Sequence, residues 1–188
     1  MTHGCKCLCQ MKRKLKRDHY RFLYMKKEFL GKTKNGIDVY VDMEHSHAST
    51  HFAHHPKLRE AVEEVIPMID ADDSIVRLDR DMGREIGTTD LVETGERDEI
   101  VYAKRPLRTT FSRFVKHKQP TPTNWITIAL RKNGDEYSLY TAFVGKATPS
   151  FPGGDYLPEQ SKEFWGNHAL VWGSQEIIHG SETSTCPW

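Results

Sequence analysis

Five of the chain's ten histidines fall within eleven residues, "HSHASTHFAHH", from His45 to His55. Imidazole titrates near pH ~6.5, which suits such a run to metal ligation or to general acid–base catalysis, besides ornament at a helix start. His47 and His51, and His51 and His55, stand four residues apart, the spacing that lets two imidazoles share one ion on a helix. Pro56 reads as the first residue of a helix, so most of the run is expected to precede that helix and to lack its geometry. A transition metal would also want a further protein ligand, from Glu44, His168 or an aspartate. The acid–base reading needs fewer groups, and on it no metal and no cofactor is expected.

An RNA phosphodiester is cleaved without metal when one group deprotonates the 2′-hydroxyl, another protonates the 5′-oxygen leaving group, and a cation stabilises the phosphorane. His51 and His55 are the types for the first two tasks. Arginine stays charged and matches phosphate in a fork, which suits Arg105 or Arg108 to the third, and the hydroxyl of Thr141 can orient the phosphate. Of the two arginines, Arg105 ranks first because it directly follows the apolar run "IVYAK".

The net charge of +1 hides a partition along the chain. Residues 37–100 carry 6 Lys/Arg against 17 acids, whereas residues 101–132 carry 8 against none, so a basic segment stands out from an acidic one. Within it, "KRPLRTTFSRFVKHK" holds Lys104, Arg105, Arg108, Arg113, Lys116 and Lys118. It is either a solvated basic loop or a positive field for a polyanion, and on the second reading Arg108, Arg113, Lys116 and Lys118 contact phosphate or RNA.

The elements that must position these groups follow from periodicity. "GIDVYVDMEH" alternates apolar and polar residues as a half-buried strand does. "PKLREAVEEVIPMID" repeats Leu58, Val62, Val65, Ile66 and Ile69 at helical spacing, with a disturbance at Pro67. "SIVRLD" and "DEIVYAKR" are shorter strand candidates. "NWITIALRKNGDEYSLYTAFVG" predicts a hairpin with a two-residue type I′ turn at Asn133-Gly134. One face of that hairpin carries Ile126, Ile128, Leu130, Tyr137, Leu139, Thr141 and Phe143. "EQSKEFWGNHALVW" reads either as a short helix running into a strand or as an aromatic lid, with His168 a core or interface histidine. The predicted fold is α+β, a small antiparallel sheet with a terminal β-hairpin packed on one or two helices.

Three parts are expected: a basic arm over 1–36 with Cys5, Cys7 and Cys9, a single domain over 37–178, and a flexible tail over 179–188. The thiols cluster at the tips, so free cysteines are expected rather than a disulfide framework. Met25 would serve as a start as well as Met1. No apolar run is long enough to cross a membrane, which makes a soluble cytoplasmic protein the expectation.

The order of a strand, "HFAHHPKLREAVEEVI", strands with arginines and a closing hairpin ending "LYTAF" resembles the metal-independent nucleases of the barnase/EndoU/colicin/RelE-like superfamily, especially their phage and polymorphic-toxin branches. Those families show His, three residues, then His-Pro, matched here by His51, His55 and Pro56. They also close on Thr-x-Tyr, matched by Thr141-Ala142-Phe143, with Phe143 where a tyrosine is common. The resemblance spans residues 37–146 and implies a ribonuclease that leaves a 2′,3′-cyclic phosphate. It further implies tRNA or rRNA as target and an antitoxin or immunity protein as partner. Two other readings stay open: a non-catalytic RNA- or protein-binding module on the same fold, and a histidine-metal hydrolase.

Overall fold

The computed structural model describes residues 26–44, 46–153 and 158–188; the expected cysteine cluster and most of the basic arm lie outside the described residues. In chain order the elements begin with β1 (Lys27–Lys32), β2 (Asp38–Asp42), α1 (His47–His54) and α2 (Pro56–Val65). A 3-10 turn, Ile66–Met68, leads to β3 (Ile75–Asp81), β4 (Gly87–Thr89), β5 (Leu91–Glu93), β6 (Ile100–Lys104) and β7 (Phe111–Val115). Then come β8 (Thr121–Thr123), β9 (Trp125–Asn133), β10 (Glu136–Val144), α3 (Glu159–Asn167) and β11 (His168–Val171). The fold class is α+β. By their contacts the described residues form two compact units, residues 26–77 with 128–142 and residues 78–127 with 143–188.

In the first unit the sheet order is β1-β2-β10-β9-β3. The described end of the basic arm is thus an edge strand, antiparallel to β2. Its register shifts between Phe29 and Gly31, where Gly31 takes φ +149 and a Cβ would stand 3.4 Å from Ile66 Cγ2. A glycine serves both demands. Val39 and Val41 alternate inward from β2, and α2 buries Leu58, Ala61, Val62 and Val65. Pro56 sits at the start of α2 as expected, and the predicted disturbance at Pro67 is the change from α to 3-10 geometry at Ile66. Arg59 ties α2 to β1 by donating to Glu28 at 2.9 Å.

The predicted hairpin forms, with its connection displaced by one residue. β9 ends at Asn133 and β10 resumes at Glu136, so the loop is Gly134-Asp135, and the positive φ of +65 belongs to Gly134. Asn133 keeps a negative φ, so the predicted type I′ turn at Asn133-Gly134 does not form; glycine instead occupies the first loop position. Moving the turn by one residue moves each cross-strand partner by two, which preserves the face. Ile128, Leu130, Tyr137 and Leu139 are accordingly all buried. The opposite face departs from expectation, since Thr127, Ala129 and Ala142 are buried as well. The hairpin is internal rather than terminal: β10 also pairs with β2, in parallel, through Tyr137↔Val39, so the sheet is mixed.

The second unit holds a four-stranded sheet, β5-β11-β7-β6, and the small pair β4-β8. Its core joins Ala103, Phe114, Phe151, Trp165 and Leu170. Of the two readings of "EQSKEFWGNHALVW", the helix running into a strand holds, as α3 passes directly into β11.

The chain end, expected as a tail over 179–188, pairs with β6. Thr183 and Tyr102 exchange both backbone bonds, at 2.8 and 2.9 Å, and Ser181 Oγ accepts from Lys104 N at 2.9 Å. Trp188 meets Tyr102 edge-on at 5.1 Å. The tail has no strand pattern because backbone hydrogen bonds to the free edge of β6 do not depend on side-chain alternation. Trp188→Ala is therefore expected to lower stability by about 1–2 kcal/mol. Urea unfolding checks this; an unchanged midpoint would mean that the ring adds nothing.

Candidate functional site

The histidine run forms a helix of its own, which corrects the expectation that it precedes one. After β2, Ser46 adopts an extended backbone and its Oγ accepts from Ser49 N at 3.1 Å, capping α1. The helix closes at His55, whose N–H donates to His51 O at 2.9 Å. Proline disfavours helical geometry in the residue before it, and His55 sits at φ −132, ψ 83, ahead of Pro56. His55 is therefore the hinge between two helices, ending α1 and opening α2.

Ala48 and Phe52, four residues apart, form the buried side of α1. His47, His51 and His54 recur at helical spacing along the flank beside it. His47 and His54 are exposed, whereas His51 and His55 are half-buried. The proton affinity of His51 is lowered, first by burial and then by the nearby imidazoles of His55, His47 and His54. At neutral pH its ring is thus uncharged, the state a general base requires.

The sign has a stability consequence. Folded His51 binds its proton less readily than unfolded His51, so stability is at its full value above pH ~6.5 and is lost as pH falls toward the folded value. We expect the His51 ring to titrate below pH ~6.5 by NMR, with the midpoint moving upward in His55→Ala. A midpoint at or above the ordinary histidine value would contradict this environment.

Thr141 lies near the end of β10, half-buried, in the same unit as the histidines. The arginines belong to the other unit. Arg105 follows β6 as expected, but it is built into the fold. Its guanidinium lies 5.7 Å from the Phe151 ring centre, and NH1 donates to Gln175 Oε1 at 3.3 Å. Burial, and then the neighbouring Arg108, lower its pKa. Arg108 is exposed.

The basic stretch is not the solvated loop that its composition suggested. Its centre is β7, where Ser112, Arg113, Phe114 and Val115 are all buried. Arg113 was expected to contact RNA; instead NH1 donates to Thr94 Oγ1 and to His168 O, each at 2.7 Å. Lys116 and His117 both reach Glu99, and Lys118 pairs with Asp98 at 2.6 Å. Lys116 and Lys118 are thereby partly neutralised, which weakens their assignment to RNA. Pairing of Ile100 with Val115 explains why: it brings the acids before β6 beside the lysines after β7. A charge count along the chain cannot see that juxtaposition.

Sequence reasoning placed His168 in a core or interface. The residue is half-buried, and its Nδ1 lies 2.9 Å from Phe164 O, one helical turn back. Among the described residues no three His, Cys, Asp or Glu side chains are grouped to hold a metal ion. No helix among them is long and apolar enough to cross a membrane. Comparison with protein-family models, curated proteins and solved structures gives no significant match to this chain.

Proposed function

We propose that the chain is a metal-independent RNA endonuclease of toxin-like or mobile-element type, acting in the cytoplasm on tRNA or rRNA. The observation that carries this reading is His51: an imidazole held half-buried on α1, kept neutral by burial and by the histidines around it. In the proposed reaction His51 takes the proton of the 2′-hydroxyl. The 2′-oxygen then bonds to phosphorus, and the bond to the 5′-oxygen breaks as His55 delivers a proton to it. The products are a 2′,3′-cyclic phosphate and a free 5′-hydroxyl. Thr141, in the same unit as the histidines, is assigned an orienting hydroxyl. A toxin of this kind calls for an antitoxin or immunity protein.

The second reading is a non-catalytic RNA- or protein-binding module. Two observations favour it: Arg105 is held by Gln175 and Phe151, and Phe143 carries no hydroxyl. Incubation of the full chain with bulk tRNA and rRNA in excess EDTA separates the readings. The nuclease reading expects fragments with cyclic-phosphate ends. Cleavage only on adding metal would replace it with the histidine-metal hydrolase, and binding without cleavage under either condition would replace it with the module.

A further inference from the structure

β5 and β11 form one edge of the sheet in the second unit, and their register sets His168 directly opposite Glu93, and Leu170 opposite Leu91. Opposed residues of an antiparallel pair share a face, with Cβ atoms about 5 Å apart. The side chains of His168 and Glu93 therefore leave the same face of the sheet. Both line a cavity of about 590 Å³, with Leu91 adding apolar surface on the same face and Gln119 and Thr121 adding polar groups. The volume lies within the range of small-molecule sites.

The chemistry of the lining selects a ligand. Phe164 stacks on His168 with ring centres 4.2 Å apart and planes 5° apart, which fixes the imidazole plane and covers one face. What His168 adds to the cavity is thus a flat aromatic face. Glu93, solvent-facing on β5, adds two acceptor oxygens. Lys118 also lines the cavity, but its ammonium is held by Asp98 at 2.6 Å and Glu93 O at 2.7 Å. With Lys118 matched by Asp98, the carboxylate of Glu93 leaves the local balance negative, which disfavours a phosphate there.

We infer that this cavity is a nucleobase-binding subsite, taking a planar heterocycle that stacks on His168 and turns an N–H-bearing edge to Glu93. Adenine, guanine and cytosine carry an exocyclic amine that meets these acceptors. Uracil turns two carbonyls and a single ring N–H to them and is disfavoured. The inference deepens the ribonuclease reading and rests on it for the identity of the polymer, while the pocket itself belongs to the second unit alone.

The test is titration of the full chain with adenosine, guanosine, cytidine and uridine, followed by amide shifts in NMR and by calorimetry. Adenosine, guanosine and cytidine are expected to perturb residues 91–93, 118–121 and 168, with uridine at least about fivefold weaker. His168→Ala is expected to weaken binding about tenfold. Glu93→Gln, at an exposed position, is expected to remove the preference for amine-bearing bases. Should His168→Ala fail to fold, His168→Phe keeps a ring against Phe164 and is expected to retain both binding and the preference, which Glu93 supplies. No perturbation by any nucleoside, equal affinity for uridine, unchanged binding in His168→Ala, or loss of binding in a folded His168→Phe overturns the subsite. Cleavage of RNA without nucleoside binding would sink the subsite and leave the nuclease standing. Nucleoside binding without cleavage would do the reverse.

Discussion

His51→Ala is expected to lower metal-free RNA cleavage by about 10²–10⁴-fold, the contribution a positioned acid or base makes to proton transfer. The variant is a clean test because the fold has little reason to object. His51 lies on the flank of α1, not on its buried side of Ala48 and Phe52, and alanine is the better helix former. Circular dichroism and an unchanged unfolding midpoint would establish that the helix survives. The pH profile supplies a second readout. With His51 as base, the acidic limb of kcat/KM for the unsubstituted chain is expected below pH ~6.5, because burial and neighbouring imidazoles lower its proton affinity. Cleavage retained in His51→Ala would remove the histidine from the reaction.

Trp165→Ala is expected to cost about 3–5 kcal/mol of stability, the range for removing a large aromatic from a packed core. Trp165 is 1% exposed. It stacks on Phe151 at 3.7 Å, meets Phe164 edge-on at 5.1 Å, and its indole N–H donates to Pro149 O at 3.1 Å. Truncation therefore opens a cavity and strands a carbonyl at once. Because Phe164 in turn stacks on His168, the loss should reach the β11 edge as well. Denaturant unfolding measures the first effect and the His168 ring resonances the second. A cost under about 1 kcal/mol would mean that α3 is not part of the cooperative core.

Local pattern in the sequence determined the elements whose own residues decide their shape. The alternation on either side of "NG" specified the hairpin, and because a one-residue displacement of the turn preserves the faces, Ile128, Leu130, Tyr137 and Leu139 were legible as core. The spacing of Leu58, Val62 and Val65 behind Pro56 specified α2 in the same way. In the run before Pro56 the helix start at the proline masks one that lies upstream. Ser46 supplies an earlier cap, and the helix it opens is joined to α2 at His55.

Tertiary structure decided everything that depends on which segments meet. The fate of the basic stretch turned on β7 lying between β6 and β11, which buries Arg113 and sets Lys116 and Lys118 against acids. The polar tail paired with the edge of β6, and β10 acquired a second, parallel neighbour in β2. His168 gained a defined ring plane from Phe164 and a cross-strand partner in Glu93. Periodicity records how a segment sorts its own side chains between solvent and core, so it can be read in one dimension. Strand partners and ion pairs are chosen between segments distant in sequence, by backbone groups common to all residues and by charges that carry no mark of their partner, so only the folded chain reveals them.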